Sequence, residues 1–265
     1  MIFRTTVVVL VHCLLTACSG GGSGAASSLN PISGPIAAVG NADVKLLFMG
    51  NSHTSVNDIP GTVATMVRAG KVGKTVVAVL APGGQHLEER AGDAATLELL
   101  QNQRWNFVVL QAQDYSLSGA FFYPTTGAEK LVRLSRQAGA LPVLFAEWPR
   151  VGILETQIIY SKYVSIAMKE PACVAPIPQA FDLALTRFPA LRLHDPDGNH
   201  SAPAGAFLAA LILYATITGN APQNLPTLTI ANVDADTQAK LRGIAAESLQ
   251  SLSPRQWCSA DPLLP

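Results

Sequence analysis

Five apolar runs of strand length punctuate this chain: Val44–Met49, Thr75–Leu80, Trp105–Gln111, Leu141–Ala146 and Cys173–Ile177. They are largely continuous rather than alternating, which suits strands covered on both faces. Helix-like stretches separate them, at Ile59–Ala69, Leu87–Gln103, Thr126–Ala138 and Ile153–Lys169. Three more follow the last run, at Gln179–Arg187, Ala204–Thr218 and Asp234–Leu252. Pro60 fits a first helical turn, where a missing N–H costs little. Pro171 and Gly219 stand where helices should stop. Strands alternating with helices predict an α/β fold with a parallel sheet and helices on both faces. Right-handed crossovers then bring the C-terminal ends of all strands to one edge, where open α/β sheets bind ligands.

Composition narrows the class. The chain has 265 residues, 49% of them hydrophobic and 14% charged, with no net formal charge. That balance excludes a disordered chain and leaves no basic excess to attract nucleic acid. No repeat of solenoid length is present. Ala204–Thr218 is apolar enough to suggest a membrane span, but its ~15 residues fall short of the ~20 a bilayer needs. It reads as a helix buried against the sheet.

The N-terminus reads as a targeting segment. Arg4 precedes an apolar stretch from Val7 to Leu15, a pattern of export signals. Leu15-Thr16-Ala17-Cys18 then resembles a bacterial lipobox, with Cys18 as the lipidated residue after cleavage. The expected organisation is a signal peptide over 1–17, a Gly/Ser/Ala/Pro-rich flexible tether over 18–41 and one folded domain over 42–265. The expected location is extracytoplasmic, on the outer membrane. Ser19 after the cysteine is compatible with that sorting. Membrane contact through the lipid anchor alone and a monomeric state are expected. Cys173 and Cys258 remain as an even pair in an oxidising compartment, a candidate disulfide. Neither has a Cys-x-x-Cys or nearby histidine partner, so no metal site is expected.

Two short polar blocks carry the chemistry. Gly50-Asn51-Ser52-His53 breaks the first strand sharply and presents Ser52 above the sheet edge, where backbone N–H groups are exposed. Near the other end stands Asp197-Gly198-Asn199-His200. Acyl transfer by a serine needs a base, a group that orients the base and donors for the oxyanion. His200 suits the first role and Asp197 the second, with His194 and Asp195 as local competitors. Taken singly, each block is an ordinary turn or cap; their order along the chain gives them weight.

In these blocks the chain resembles the SGNH hydrolases, also called GDSL esterases and lipases, over about residues 44–219. The resemblance implies a three-layer α/β/α sandwich with a flavodoxin-like parallel sheet of about five strands. It implies a serine esterase with Ser52, Asp197 and His200 as its triad and no cofactor. Asn51 replaces the family's usual aspartate. The family's second block supplies an oxyanion glycine, matched by Gly84 or alternatively Gly83. Its third block, Gly-x-Asn-Asp, is absent: Val109-Leu-Gln-Ala-Gln-Asp114 stands there. Gln113, or alternatively Gln111, is then expected to donate the amide N–H that joins the Ser52 and Gly84 N–H groups. The expected substrate is a small or glycan ester, O-acetylated carbohydrate among them. The rival reading, favoured by the altered third block, is a non-catalytic glycan-binding lipoprotein. His53, Glu147 and Trp148 fall at the same edge and are candidates for lining the pocket.

Overall fold

The computed structural model describes residues 39–264. The signal over 1–17, Cys18 and most of the tether lie outside the described residues. Val39, inside the stretch read as tether, is buried in the core.

The apolar runs form the strands β1 (Val44–Met49), β2 (Val76–Leu80), β3 (Phe107–Leu110), β4 (Leu141–Phe145) and β5 (Cys173–Ala175). They make a five-stranded sheet in the order β2-β1-β3-β4-β5. Each neighbouring pair is parallel, with Leu46 opposite Phe107 and Val109 opposite Val143. Side chains alternate between the two faces. Leu46, Phe48, Val109 and Phe145 face one core, while Leu47, Met49, Val108 and Leu144 face the other.

The first core is covered by α2 (Ile59–Gly70), α7 (Ile177–Arg187), α8 (Pro203–Thr218) and α9 (Ala235–Ser251). The second is covered by α3 (Leu87–Arg90), α4 (Ala94–Gln101), α5 (Thr126–Gln137) and α6 (Thr156–Ala167). The result is a three-layer α/β/α sandwich. Helix α8 is buried from Ala204 to Thr218, packed between α2 and α9. Its uniform apolarity follows from having neighbours on every side. Among the described residues no helix is long and apolar enough to cross a membrane.

Two local details differ from the sequence reading. The helix expected over Leu87–Gln103 is broken at Gly92-Asp93, where the Asp93 side chain accepts the Thr96 N–H and starts α4 afresh. A further one-turn helix, α1 (Ser52–Ser55), lies directly after the Gly50-Asn51 break. Cys173 and Cys258 are disulfide-bonded, with Cα atoms 5.0 Å apart, which ties the C-terminal tail to β5.

The order 2-1-3-4-5 reverses direction between β1 and β3, so a crevice opens beyond their C-terminal ends. Ser52 follows β1 there, and Gln111–Gln113 follow β3.

Candidate active site

Asn51 caps α1: its side-chain oxygen accepts the His53 N–H at 3.0 Å. That cap closes the turn and leaves Ser52 exposed at the first helical position. Gly50 is required behind it, because a Cβ there would collide with Thr54 Oγ1 and Gln111 Oε1.

The opposing loop is a small hairpin. His194 and Ser201 form an antiparallel bridge, Asp195 N–H donates to the His200 carbonyl at 2.8 Å, and Ala202 N–H donates to the Leu193 carbonyl at 2.9 Å. Gly198 turns the tip with φ +70°. Three tertiary hydrogen bonds hold this hairpin against the sheet edge. They run from Trp148 Nε1 to the Asn199 carbonyl (2.8 Å), from Val151 N–H to the Gly198 carbonyl (2.9 Å) and from Asn57 Nδ2 to the Ser201 carbonyl (2.6 Å). At its base α8 approaches so closely that a Cβ on Gly205 would strike the Leu193 carbonyl oxygen.

This framework brings Ser52, His200 and Asp197 together. Ser52 Oγ is 2.9 Å from His200 Nε2, and His200 Nδ1 is 2.5 Å from Asp197 Oδ2. The other carboxylate oxygen of Asp197 accepts the backbone N–H groups of Asn199 (2.9 Å) and His200 (3.0 Å). The bond from His200, then these two N–H groups, hold the Asp197 carboxyl at about 2. An ionised carboxylate at Nδ1 selects the tautomer whose Nε2 lone pair faces the serine hydroxyl. The local competitors are placed elsewhere. His194 is buried with Nε2 2.8 Å from the Pro149 carbonyl, and the Asp195 carboxylate lies 3.3 Å from Arg192.

The expected role of Gln113 needs correction. Its side-chain N–H₂ donates to the carbonyls of Asp114 and Pro124, each at 3.0 Å, and the residue is buried. Both amide hydrogens are thus committed to the loop after β3. Gln111, the alternative, turns its oxygen toward the turn before Ser52, accepting from Asn51 N–H (3.0 Å) and Thr54 Oγ1 (2.8 Å). Gly84 lies exposed in the turn after β2, where it and Gly83 have φ of +47° and +95°.

One residue at this edge gave no usable signal in the sequence. Arg90 is fully buried, and its guanidinium donates to the carbonyls of Gly50 (3.0 Å), Pro82 (3.2 Å) and Ala81 (3.4 Å). It thereby clamps the turn carrying Ser52 to the turn carrying Gly84. An arginine in a helical pattern reads as a solvated charge, so only the tertiary contacts expose this role. Glu147 is buried past the end of β4 and bonded to Tyr163, whose hydroxyl lies 2.6 Å from Oε2. Burial pushes the Glu147 carboxyl up to about 7, against the opposing pull of the hydrogen bond from Tyr163. His53 sits between the rings of Trp148 and His200, with centroids 5.2 and 5.4 Å away. Burial, followed by repulsion from His200, lowers its pKa.

A cleft of about 240 Å³ adjoins the triad, lined among others by Asn51, His86, Tyr115, Trp148, Arg150 and Asn199. His86 Nδ1 lies 2.9 Å from Asp114 Oδ1. Among the described residues the only metal-like grouping is Cys173, Cys258 and Asp261. The cysteines there are bonded to each other, and Asp261 pairs with Arg136 at 2.8 Å.

This fold has solved counterparts. A candidate SGNH hydrolase from Slackia heliotrinireducens is 26% identical, covering 66% of this chain and 99% of its own, with a TM-score of 0.50. The chain has the fold of the SGNH hydrolases. A DUF4886 family protein from Bacteroides uniformis shares the fold at 15% identity, with a TM-score of 0.60 over 78% of this chain and 95% of its own. No family model matches the chain, and no curated protein does either. Within this SGNH fold the altered third block acquires a physical account. The position that would supply an asparagine donor holds Gln113, whose amide hydrogens are committed to internal carbonyls.

Proposed function

We propose that this protein is a serine esterase that cleaves carboxylic esters through an acyl-enzyme. The observation that carries the proposal is the continuous hydrogen-bonded line Ser52–His200–Asp197, with Oγ–Nε2 at 2.9 Å and Nδ1–Oδ2 at 2.5 Å. Ser52 Oγ attacks the ester carbonyl while His200 Nε2 takes its proton. The imidazolium formed is stabilised by the Asp197 carboxylate. The tetrahedral oxyanion is met by the N–H groups of Ser52 and Gly84. His200 returns its proton to the leaving alcohol. A water, deprotonated by His200, then attacks the acyl carbonyl, releasing the acid and restoring the Ser52 hydroxyl.

The cleft beside the triad supports a polar alcohol portion, with Asn51, Arg150 and Asn199 among its walls. A small ester or an O-acetylated glycan suits it. The altered third block, with the Gln113 amide committed to the Asp114 and Pro124 carbonyls, favours the second reading, a glycan-binding protein that retains the fold. Fluorophosphonate labelling decides between them. Stoichiometric labelling of the wild type, lost in Ser52→Ala, supports the esterase; an unlabelled wild type with retained glycan binding supports the second reading. We further propose export as a lipoprotein anchored through Cys18, with no other membrane contact. Cys18→Ala should release the protein from membranes, and unchanged membrane partition would reject the anchor.

A further inference from the structure

The two hydrogen bonds to His200 hold its ring by the edges, at Nδ1 and Nε2. A hydrogen bond tolerates ~30° of misalignment, so these two leave the ring room to tilt. The backbone does not set the plane either, because a histidine χ2 lacks deep staggered wells. The His200 side chain is 30% exposed, and solvent gives it space to swing. What lies against its face is the ring of His53, with centroids 5.4 Å apart and planes 28° from parallel. Aromatic rings attract one another at such a spacing. His53 is backed in turn. Trp148 packs on it at 5.2 Å, and Phe181 of α7 stacks on Trp148 at 5.2 Å with planes 14° apart. Trp148 and Phe181 are buried. The four rings form a column that starts in the first core and ends at His200. The column meets the hairpin at two more points. Trp148 Nε1 donates to the Asn199 carbonyl at 2.8 Å, and the His194 ring meets Phe181 edge-on at 5.5 Å.

We infer that His53 is a positioning residue for the general base: its ring backs the face of His200, and the buried column behind it keeps that ring from yielding. His53 follows Ser52 directly in α1. One turn therefore grips His200 twice, at the Nε2 edge through Ser52 and at the face through His53. The inference rests on the esterase reading of the triad and adds a support that the three triad residues do not contain. His53 carries no proton in the reaction. Its Nδ1 is buried without a hydrogen-bond partner, so the position uses the flat face of the ring rather than that nitrogen. A phenyl ring can then take its place. Burial, followed by repulsion from His200, lowers the His53 pKa. The ring thus stays neutral beside the charge that His200 takes up when Ser52 loses its proton.

The test compares His53→Phe, which keeps a flat ring, with His53→Leu, which keeps bulk without one, and with His53→Ala. For each, kcat and KM on a short acyl ester, the rate of fluorophosphonate labelling and the His200 Nδ1–H proton resonance are measured. His53→Leu and His53→Ala should lower kcat and labelling by ~10- to 100-fold, the scale of a displaced reacting group, with KM changed less than ~3-fold. Their Nδ1–H resonance should broaden relative to wild type, as a freer ring exposes that proton to exchange. His53→Phe should keep kcat within ~5-fold of wild type, with the resonance as sharp as in wild type. A His53→Leu enzyme within ~3-fold of wild type in kcat, or a His53→Phe enzyme no more active than His53→Leu, would overturn the inference. Should His53→Ala not fold, the comparison of His53→Phe with His53→Leu decides the case. A wild type that is neither labelled nor active marks instead the failure of the esterase reading. The resonance then decides the positioning by itself: broadening in His53→Leu but not in His53→Phe supports it, and the same line shape in both overturns it.

Discussion

The Asp197–His200 loop and the Gln111–Gln113 segment meet at the same sheet edge but are built in opposite ways. The loop is half exposed, and its central interaction is local: the carboxylate of Asp197 binds a side chain and two backbone N–H groups within the next three residues. The segment after β3 is buried, and its side chains bind partners up to 60 positions away in sequence. The difference teaches where each part is sensitive. Changes in the exposed loop should act on chemistry with little effect on stability. Changes in the buried segment should act on stability and on the placement of Ser52.

The sharpest test of the loop's side is loss of the reacting pair. Ser52→Ala and His200→Ala should each lower kcat/KM by at least ~10⁴-fold, with melting temperature within about 2 °C of wild type, since exposed substitutions change stability little. Activity that survives Ser52→Ala would end the proposed mechanism. Asp197→Asn comes next. It keeps the shape but favours the wrong imidazole tautomer, a change worth ~10⁴ in a serine protease. Here the expected loss is ~10²–10³-fold, because the His53 ring stacked on His200 also restrains it. A loss below 10-fold would remove Asp197 from the orienting role.

On the buried side, Gln113→Ala leaves the Asp114 and Pro124 carbonyls without their donor. The expected cost is ~1–3 kcal/mol in denaturant unfolding, with kcat lowered less than ~10-fold. A large kcat loss at unchanged stability would return Gln113 to the oxyanion site. Glu147 adds a pH signature to this side. Its folded-state pKa, about 7, lies above the ~4.3 of an unfolded glutamate. The folded chain therefore holds the proton more tightly, and this group's contribution to stability falls as pH rises across that window. Glu147→Gln should flatten the corresponding part of a stability–pH curve; an unchanged curve would show that the carboxyl is not raised. The smallest effect belongs to Asp195→Asn. Its carboxylate meets only the exposed Arg192, and such pairs are worth ~0–1 kcal/mol. Activity should change less than ~3-fold, and a loss larger than that of Asp197→Asn would exchange the two aspartates' roles.

What the sequence determined by itself is what depends on near neighbours. Continuous apolar runs marked all five strands to within a few residues, because a strand buried on both faces must be apolar along its length. Asp197 was legible for the same reason: an Asp-x-x-His turn closes within a few positions. What only the tertiary structure decided is how long-range polar groups are paired. Gln113 and Gln111 read as alternative donors because a sequence shows that an amide is present but not which backbone groups will meet it. Glu147 read as a pocket wall and Arg90 gave no signal of its own, yet folding buries both among partners brought from other parts of the chain. A buried polar group must be satisfied somewhere, and the folded chain, not the local sequence, determines where.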